Sequence, residues 1–268
     1  RFNEYVKLPR QVSYANPEYL KQFHHDSRPF GLGHDYRNVT LHSPFSSDEE
    51  LVRDYLAHFF LGAKDYKAYE PYIQTAFLKE VFATTKILAG VGDMEQWFSM
   101  LNNPGTYQAL KDKVELEFAR TNRNWFGAKD AVSLDVDVKN VGALVVKVFE
   151  INALNYFLAN GRDVDTSLDL DGLVASDEKT YKYDEAPARR VRRSFDFPTL
   201  SKPGVYVVEF IGGGISSRAL IRKGRLRFID RVGSAGHVFS VLDEDRKPLK
   251  DASRWRGGRE YKGDEAGE

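Results

Sequence analysis

The sequence contains no cysteine and only two methionines, and its 39 lysine and arginine residues are matched by 39 aspartate and glutamate residues. The first absence excludes disulfides, thiolate zinc sites, iron–sulfur clusters and a thiol nucleophile. It does not fix the compartment, because a chain with a large enough core can be secreted without disulfides. The zero net charge argues against nucleic acid or an anionic membrane as the main partner of the whole chain, though it leaves room for a local patch. Long apolar runs are also missing: none approaches the roughly 18 residues that a membrane span needs. There is no Gly-x-Ser-x-Gly elbow and no His-Glu-x-x-His helix. Gly212-Gly213-Gly214 lacks the Lys-Ser/Thr of a phosphate loop and leads into a strand pattern, so it reads as a hairpin turn.

What is present is an ordinary globular composition, 42% apolar over 268 residues. That length suggests about two domains, and the pattern divides into unlike halves. Residues 1–45 carry no sustained period and are broken by Pro9, Pro17, Pro29, Pro44 and Gly31-Leu32-Gly33. They read as an extended arm anchored by Phe2, Tyr5, Tyr14, Tyr19, Phe23 and Phe30. Residues 46–126 read as four short helices with brief connections, a pattern expected to form an antiparallel bundle. The first opens on a Ser47/Glu50 capping box and repeats Leu51, Tyr55, Phe59 with Val52, Leu56, Phe60 until Gly62. The second starts at Pro71 and stops at Gly90; the third is capped by Asp93. The fourth runs from Thr106 with Leu110, Val114 and Phe118 on one face.

After Trp125 the period becomes two. Val132, Leu134, Val136 and Val138 alternate with polar residues, and further strands are expected over Leu144–Ile151, Val164–Asp171, Val191–Phe197, Gly204–Ile211, Ser216–Arg222 and Leu226–Ile229. Short alternating strands without intervening helices give an α+β fold: a helical segment, then an antiparallel seven-stranded β-sandwich over 127–232. Residues 233–268 read as the start of a further β unit, because two strands cannot close a core. With Arg1 at one end and a strand pattern still running at the other, the chain is expected to be a piece of something longer.

Val132-Ser-Leu-Asp-Val-Asp-Val-Lys-Asn140 followed by Leu144-Val-Val-Lys-Val-Phe-Glu-Ile-Asn152 resembles a domain of the alpha-macroglobulin superfamily. Lys202-Pro-Gly-Val-Tyr-Val-Val-Glu-Phe210 and Ser217–Arg222 are similar to its closing hairpin, and Gly236–Ala252 to the start of the next domain. The resemblance covers about residues 127–268. It implies a large, secreted or periplasmic multidomain protein in which such sandwiches form a scaffold. Many members trap proteases through a bait segment and a Cys-Gly-Glu-Gln thioester. This chain has no cysteine for the thioester and no bait-like segment, which leaves the scaffold role.

Three clusters are candidates for chemistry. His24-His25-Asp26 with His34-Asp35 could hold a metal ion, although the spacing matches no established zinc pattern and these residues also fit a polar loop. Asp163, Asp165, Asp169 and Asp171 on one strand face offer oxygen ligands to calcium; a solvated strand edge explains the same alternation. Arg189, Arg190, Arg192 and Arg193 form a basic run that could bind an anion or a protein, or could simply pair with the acidic stretch beside it. No cofactor is expected. The reading is a non-enzymatic scaffold or interaction segment whose partner is another protein or neighbouring domains of its own chain. The alternative is a carbohydrate-binding module or glycoside-processing enzyme with a site where helices meet sandwich, using Trp97, Trp125, Tyr156 or Tyr181.

Overall fold

The computed structural model describes residues 1–23, 29–32, 47–101, 103–234, 236–256 and 258–264. The chain divides into two compact units: Arg1–Lys113 with Glu185–Val191, and Val114–Asp184 with Arg192–Glu268. The α+β class expected from the periodicity holds. The first unit is helical and the second is built around strands.

In the helical unit, α1 (Phe2–Val6) and α2 (Pro17–Lys21) lie within the segment expected to be an extended arm. α2 begins where Pro17 needs no hydrogen-bonded N–H, and the Asn16 side chain accepts from the Glu18 N–H. α3 (Glu49–Gly62) and α4 (Thr75–Ala89) pack on each other through Val52, Leu56 and Phe60 against Leu78, Val81 and Phe82. α4 begins four residues later than Pro71 suggests. Residues 72–74 are instead held by the arm: the Asn16 N–H donates to the Tyr72 carbonyl, the Gln74 N–H donates to the Tyr14 carbonyl, and Ala15 bridges Ile73. Gly90 ends α4 in the left-handed region, φ +65°, as a helix stop of this kind requires. Buried Lys86 closes the last turn of α3, donating to the carbonyls of Leu61 and Ala63 at 3.0 and 2.9 Å.

α5 (Met94–Met100) is capped by Asp93, as expected, and α6 (Pro104–Asp112) by Asn103. A regular four-helix bundle does not form. The first core takes Val6 and Tyr14 from the arm and Ile73 from the segment before α4, beside the side chains of α3 and α4. A second cluster gathers Ala83, Ile87, Leu101 and Ala188 with Tyr107 and Leu110. The fourth helix also stops short of Val114 and Phe118. The spacing Leu110, Val114, Phe118 fits a helix, but Val114, Leu116, Phe118 fits a strand equally well. Residues Glu115–Phe118 form that strand, β1.

In the second unit β1 joins a three-stranded sheet with β3 (Ser133–Lys139) and β6 (Val191–Asp196), in the order β1-β3-β6. A five-stranded sheet runs β2-β8-β7-β4-β5, from β2 (Trp125–Phe126), β8 (Ile215–Lys223), β7 (Gly204–Gly212) and β4 (Ala143–Ile151) to β5 (Asp177–Lys182). β2 runs parallel to β8; the β1–β3, β4–β5, β4–β7 and β7–β8 pairs are antiparallel. Eight strands, not seven, therefore make the two sheets among the described residues. Their facing sides share one core, with Leu134, Val136, Leu144, Val208, Phe210 and Ile221 all buried. The β7–β8 hairpin turns through Gly213 and Gly214 at φ +59° and +81°, as the polyglycine run predicts.

The outer side of the five-stranded sheet is covered too. α7 (Ala153–Asn160), to which the periodicity assigned no element, caps on Asn152 and stops at Gly161. With residues 163–175 it closes over Phe149 and Val207, which are also buried. Covering on both sides explains why β4 and β7 read as nearly continuous apolar runs. Beyond the sandwich, β9 (Arg227–Gly233) pairs with β10 (Gly236–Leu242), and β11 (Ser253–Arg256) with β12 (Arg259–Lys262), each as a two-stranded sheet.

Candidate interaction surface

The most tightly built polar cluster lies in the helical unit and joins residues far apart in sequence. Asp48, at the start of α3, is buried with Arg10 and Tyr14. Its carboxylate accepts from the Arg10 guanidinium, from the Tyr5 hydroxyl at 2.6 Å and from the Tyr14 hydroxyl at 2.5 Å. The Arg10 guanidinium also lies over the Tyr5 ring, 4.3 Å from its centre. Burial, reinforced by the bond to Asp48, pushes the Tyr5 hydroxyl up to about 12 and raises that of Tyr14 as well. Burial works to discharge Arg10, but the oxygens of Tyr14, Asp48 and Tyr5 outweigh it and hold the guanidinium charged. Asp48 thus serves as an anchor instead of capping its helix, and the Ser47 hydroxyl accepts from the Glu49 N–H in its place. The expected capping box gives way for this reason. Both carboxylate oxygens are bonded, so the cluster is a lock, in which the Arg10 Nε is buried without a hydrogen-bond partner among the described residues.

The lock ties the arm to the head of α3. Val52, Leu56 and Phe60 point into the core, and Leu51, Tyr55 and Phe59, about 100° around the helix from them, stay close to half-exposed along its flank. Phe2 stacks on Tyr55 at 5.0 Å and 16° and on Phe59 at 5.6 Å and 30°. The Tyr69 hydroxyl donates to Asn3 beside it. This arrangement is an aromatic ledge, suited to contact with another macromolecule.

The residues singled out in the sequence fall elsewhere. His24, His25, Asp26, His34 and Asp35 lie outside the described residues. Residues 164–171 form a loop, not a strand, because Val164 and Leu170 bury themselves on the outer side of the five-stranded sheet. The carboxylates then serve the turns: Asp165 accepts from the backbone and hydroxyl of Ser167, which lowers its pKa, and Asp169 accepts from the Asp171 N–H. Among the described residues no three histidine or acidic side chains are grouped as a metal would require. The four arginines are divided between the two units. Arg189 and Arg190 belong to the helical unit, where Arg189 pairs with Glu185 at 3.8 Å and the Arg190 N–H donates to Leu88. Arg192 grips Asp137 of β3 at 2.9 and 2.7 Å, and Arg193 covers the Tyr183 ring. Trp97 packs on Phe82 and donates to the Val91 carbonyl, Tyr156 lies in the outer cluster and Tyr181 meets Phe195 in the sandwich core. Trp125 alone of the four named aromatics is half-exposed.

Residues 1–114 match the family model of the actin-binding protein F N-terminal domain, and residues 144–224 match that of the first immunoglobulin-like domain of AbpF. The sequence is 35% identical, over 99% of its length, to actin-binding protein F of Dictyostelium discoideum, and spans 11% of that protein. Among solved structures, a fragment of alpha-2-macroglobulin from Escherichia coli is similar at a TM-score of 0.32 and 16% identity, over 50% of this chain and 46% of that one. The sandwich is immunoglobulin-like, and the resemblance to the macroglobulin superfamily is not confirmed by these matches. The secreted or periplasmic location implied by the resemblance is corrected by the relative, which is named for binding actin, a filament protein of the cell interior.

Proposed function

We propose that this chain is a non-enzymatic interaction segment of an actin-binding protein, and that the aromatic ledge on α3 contacts actin. The observation that carries the reading is the outward row Leu51, Tyr55 and Phe59, with Phe2 stacked on both aromatic rings. Rigid aromatic side chains lose little freedom on docking and favour protein contacts for that reason. Similarity along nearly the whole chain to a protein named for binding actin supports the choice of partner. The protease-trapping role of macroglobulins has no such support. The immunoglobulin-like sandwich then acts as a spacer, and residues 233–268 open a further β domain. The wholly exposed β9 supports that reading, since a two-stranded sheet cannot bury a core of its own.

The test is sedimentation of the chain with actin filaments. The chain should pellet with them, and Tyr55→Ala with Phe59→Ala should reduce the bound fraction at least tenfold while leaving the helix signal intact. A chain that stays in the supernatant, or a double variant that binds equally well, refutes the assignment.

A further inference from the structure

His237, Phe239 and Val241 stand at every second position of β10, and Arg254 and Arg256 do the same on β11. All five line one cavity of about 590 Å³, together with Tyr261, Lys262 and Asp264. That volume falls within the roughly 300–1,000 Å³ that small ligands occupy. The Arg254 guanidinium is fixed at the wall over the rings of Phe239 and Phe228, 3.6 and 4.7 Å from their centres. Ring faces steady a cation without supplying a counter-charge. Its Nη1 is buried with no hydrogen-bond partner, and no ion pair joins Arg254, Arg256 or Lys262 to any described residue. With His237 counted as neutral, the walls hold those three cations against one carboxylate, Asp264, a net of two positive charges among the described residues. The walls of an unfinished apolar core would not carry such charges, because burying them costs more than the packing returns.

We propose that this cavity binds a phosphate monoester joined to a flat ring, of the kind a nucleoside monophosphate presents. Charge selects the phosphate. A monoester carries about 1.5 to 2 negative charges at neutral pH, which matches the excess on the walls. Its oxygens also suit the guanidinium fork, whose charge-assisted hydrogen bonds are the strong ones. A lone carboxylate would leave about one positive charge unmatched. The rings select what the phosphate is joined to. Those of His237 and Phe239 are stacked, 5.8 Å apart and 4° from parallel, and Tyr261 faces the cavity from β12. A base stacked on an aromatic side chain gains about 1–3 kcal/mol. Size agrees, since a phosphate ion alone would leave most of the 590 Å³ unfilled. The site belongs to the strand-built unit and does not rest on the assignment of the α3 ledge to actin.

Calorimetric titration of the whole chain with adenosine monophosphate should show one site, with adenosine and inorganic phosphate each binding at least tenfold more weakly. Arg254→Met should weaken the monophosphate at least tenfold. If that change disturbs the rings beneath it, Arg256→Gln with Lys262→Gln removes two exposed cations of the wall and should produce the same loss. Arg227→Gln, an exposed cation of β9 outside the cavity, should leave binding unchanged. No binding of the monophosphate up to about 10 mM overturns the proposal. So does equal affinity for adenosine or for inorganic phosphate, an equal loss in Arg227→Gln, or a folded double variant that binds unchanged.

Discussion

Replacing Asp48 by alanine should destabilise the helical unit more than any change on its surface. The side chain removed accepts from a buried guanidinium and two phenolic hydroxyls. Leaving one partner of a buried ion pair uncompensated costs about 3–5 kcal/mol. Each stranded hydroxyl adds about 1 kcal/mol, partly overlapping with the first loss, so the total should be about 4–6 kcal/mol. That is a large share of the roughly 5–15 kcal/mol that holds a domain together. Urea unfolding followed by far-ultraviolet circular dichroism reads it, because the helical unit dominates that signal. Asp48→Asn keeps an acceptor and should lose less. Arg10→Met combined with Asp48→Leu should recover much of the loss, since an apolar pair leaves no buried charge. A cost below about 1 kcal/mol for Asp48→Ala, the value of an exposed pair, would falsify the lock and its hold on α3.

Two further outcomes follow from local geometry. The Tyr5 hydroxyl is pushed up to about 12 by burial and by its bond to Asp48, above its ordinary value near 10. A group whose pKa is raised by folding adds stability that is complete below the unfolded value and is lost as pH climbs through the folded one. The helical unit should therefore weaken between about pH 10 and about pH 12, and alkaline unfolding of Tyr5→Phe should lose part of that slope; identical slopes refute the assignment. In the β7–β8 turn, a methyl on Gly213 would lie 2.6 Å from Val114 Cγ1, whereas one on Gly214 meets nothing within 4 Å. Both glycines have positive φ, so Gly214→Ala should cost about 1 kcal/mol and Gly213→Ala about 2–3 kcal/mol by urea unfolding, and equal costs would contradict the packing.

Much of the fold is legible in the chain because its signals are local. Asp93 caps α5, Gly90 stops α4, and the alternation of Val132 to Val138 makes β3 with its apolar side inward. Two misreadings share one cause, a spacing that fits two structures. Leu110, Val114 and Phe118 fit a helix until Leu116 is counted, and residues 164–171 alternate because their apolar members seal the outside of a sheet. Neither case can be decided without the neighbour that buries them. β5 pairs along β4 with charged and polar residues over Asp177–Lys182, so its ladder partner and not its composition makes it a strand.

The candidate site was less legible than the fold. Arg10, Tyr14 and Asp48 carry no motif, because they meet across 34 to 38 positions of sequence. The sequence by itself set the α+β class, the two-part organisation of its periodicities and the exclusion of every thiol chemistry. It also placed two apolar rows on α3, Val52-Leu56-Phe60 and Leu51-Tyr55-Phe59, both repeating every four residues. Periodicity treats the two rows alike. Only the tertiary structure turned one inward and left the other as a ledge, because Val52, Leu56 and Phe60 found Leu78, Val81 and Phe82 of α4 to pack against.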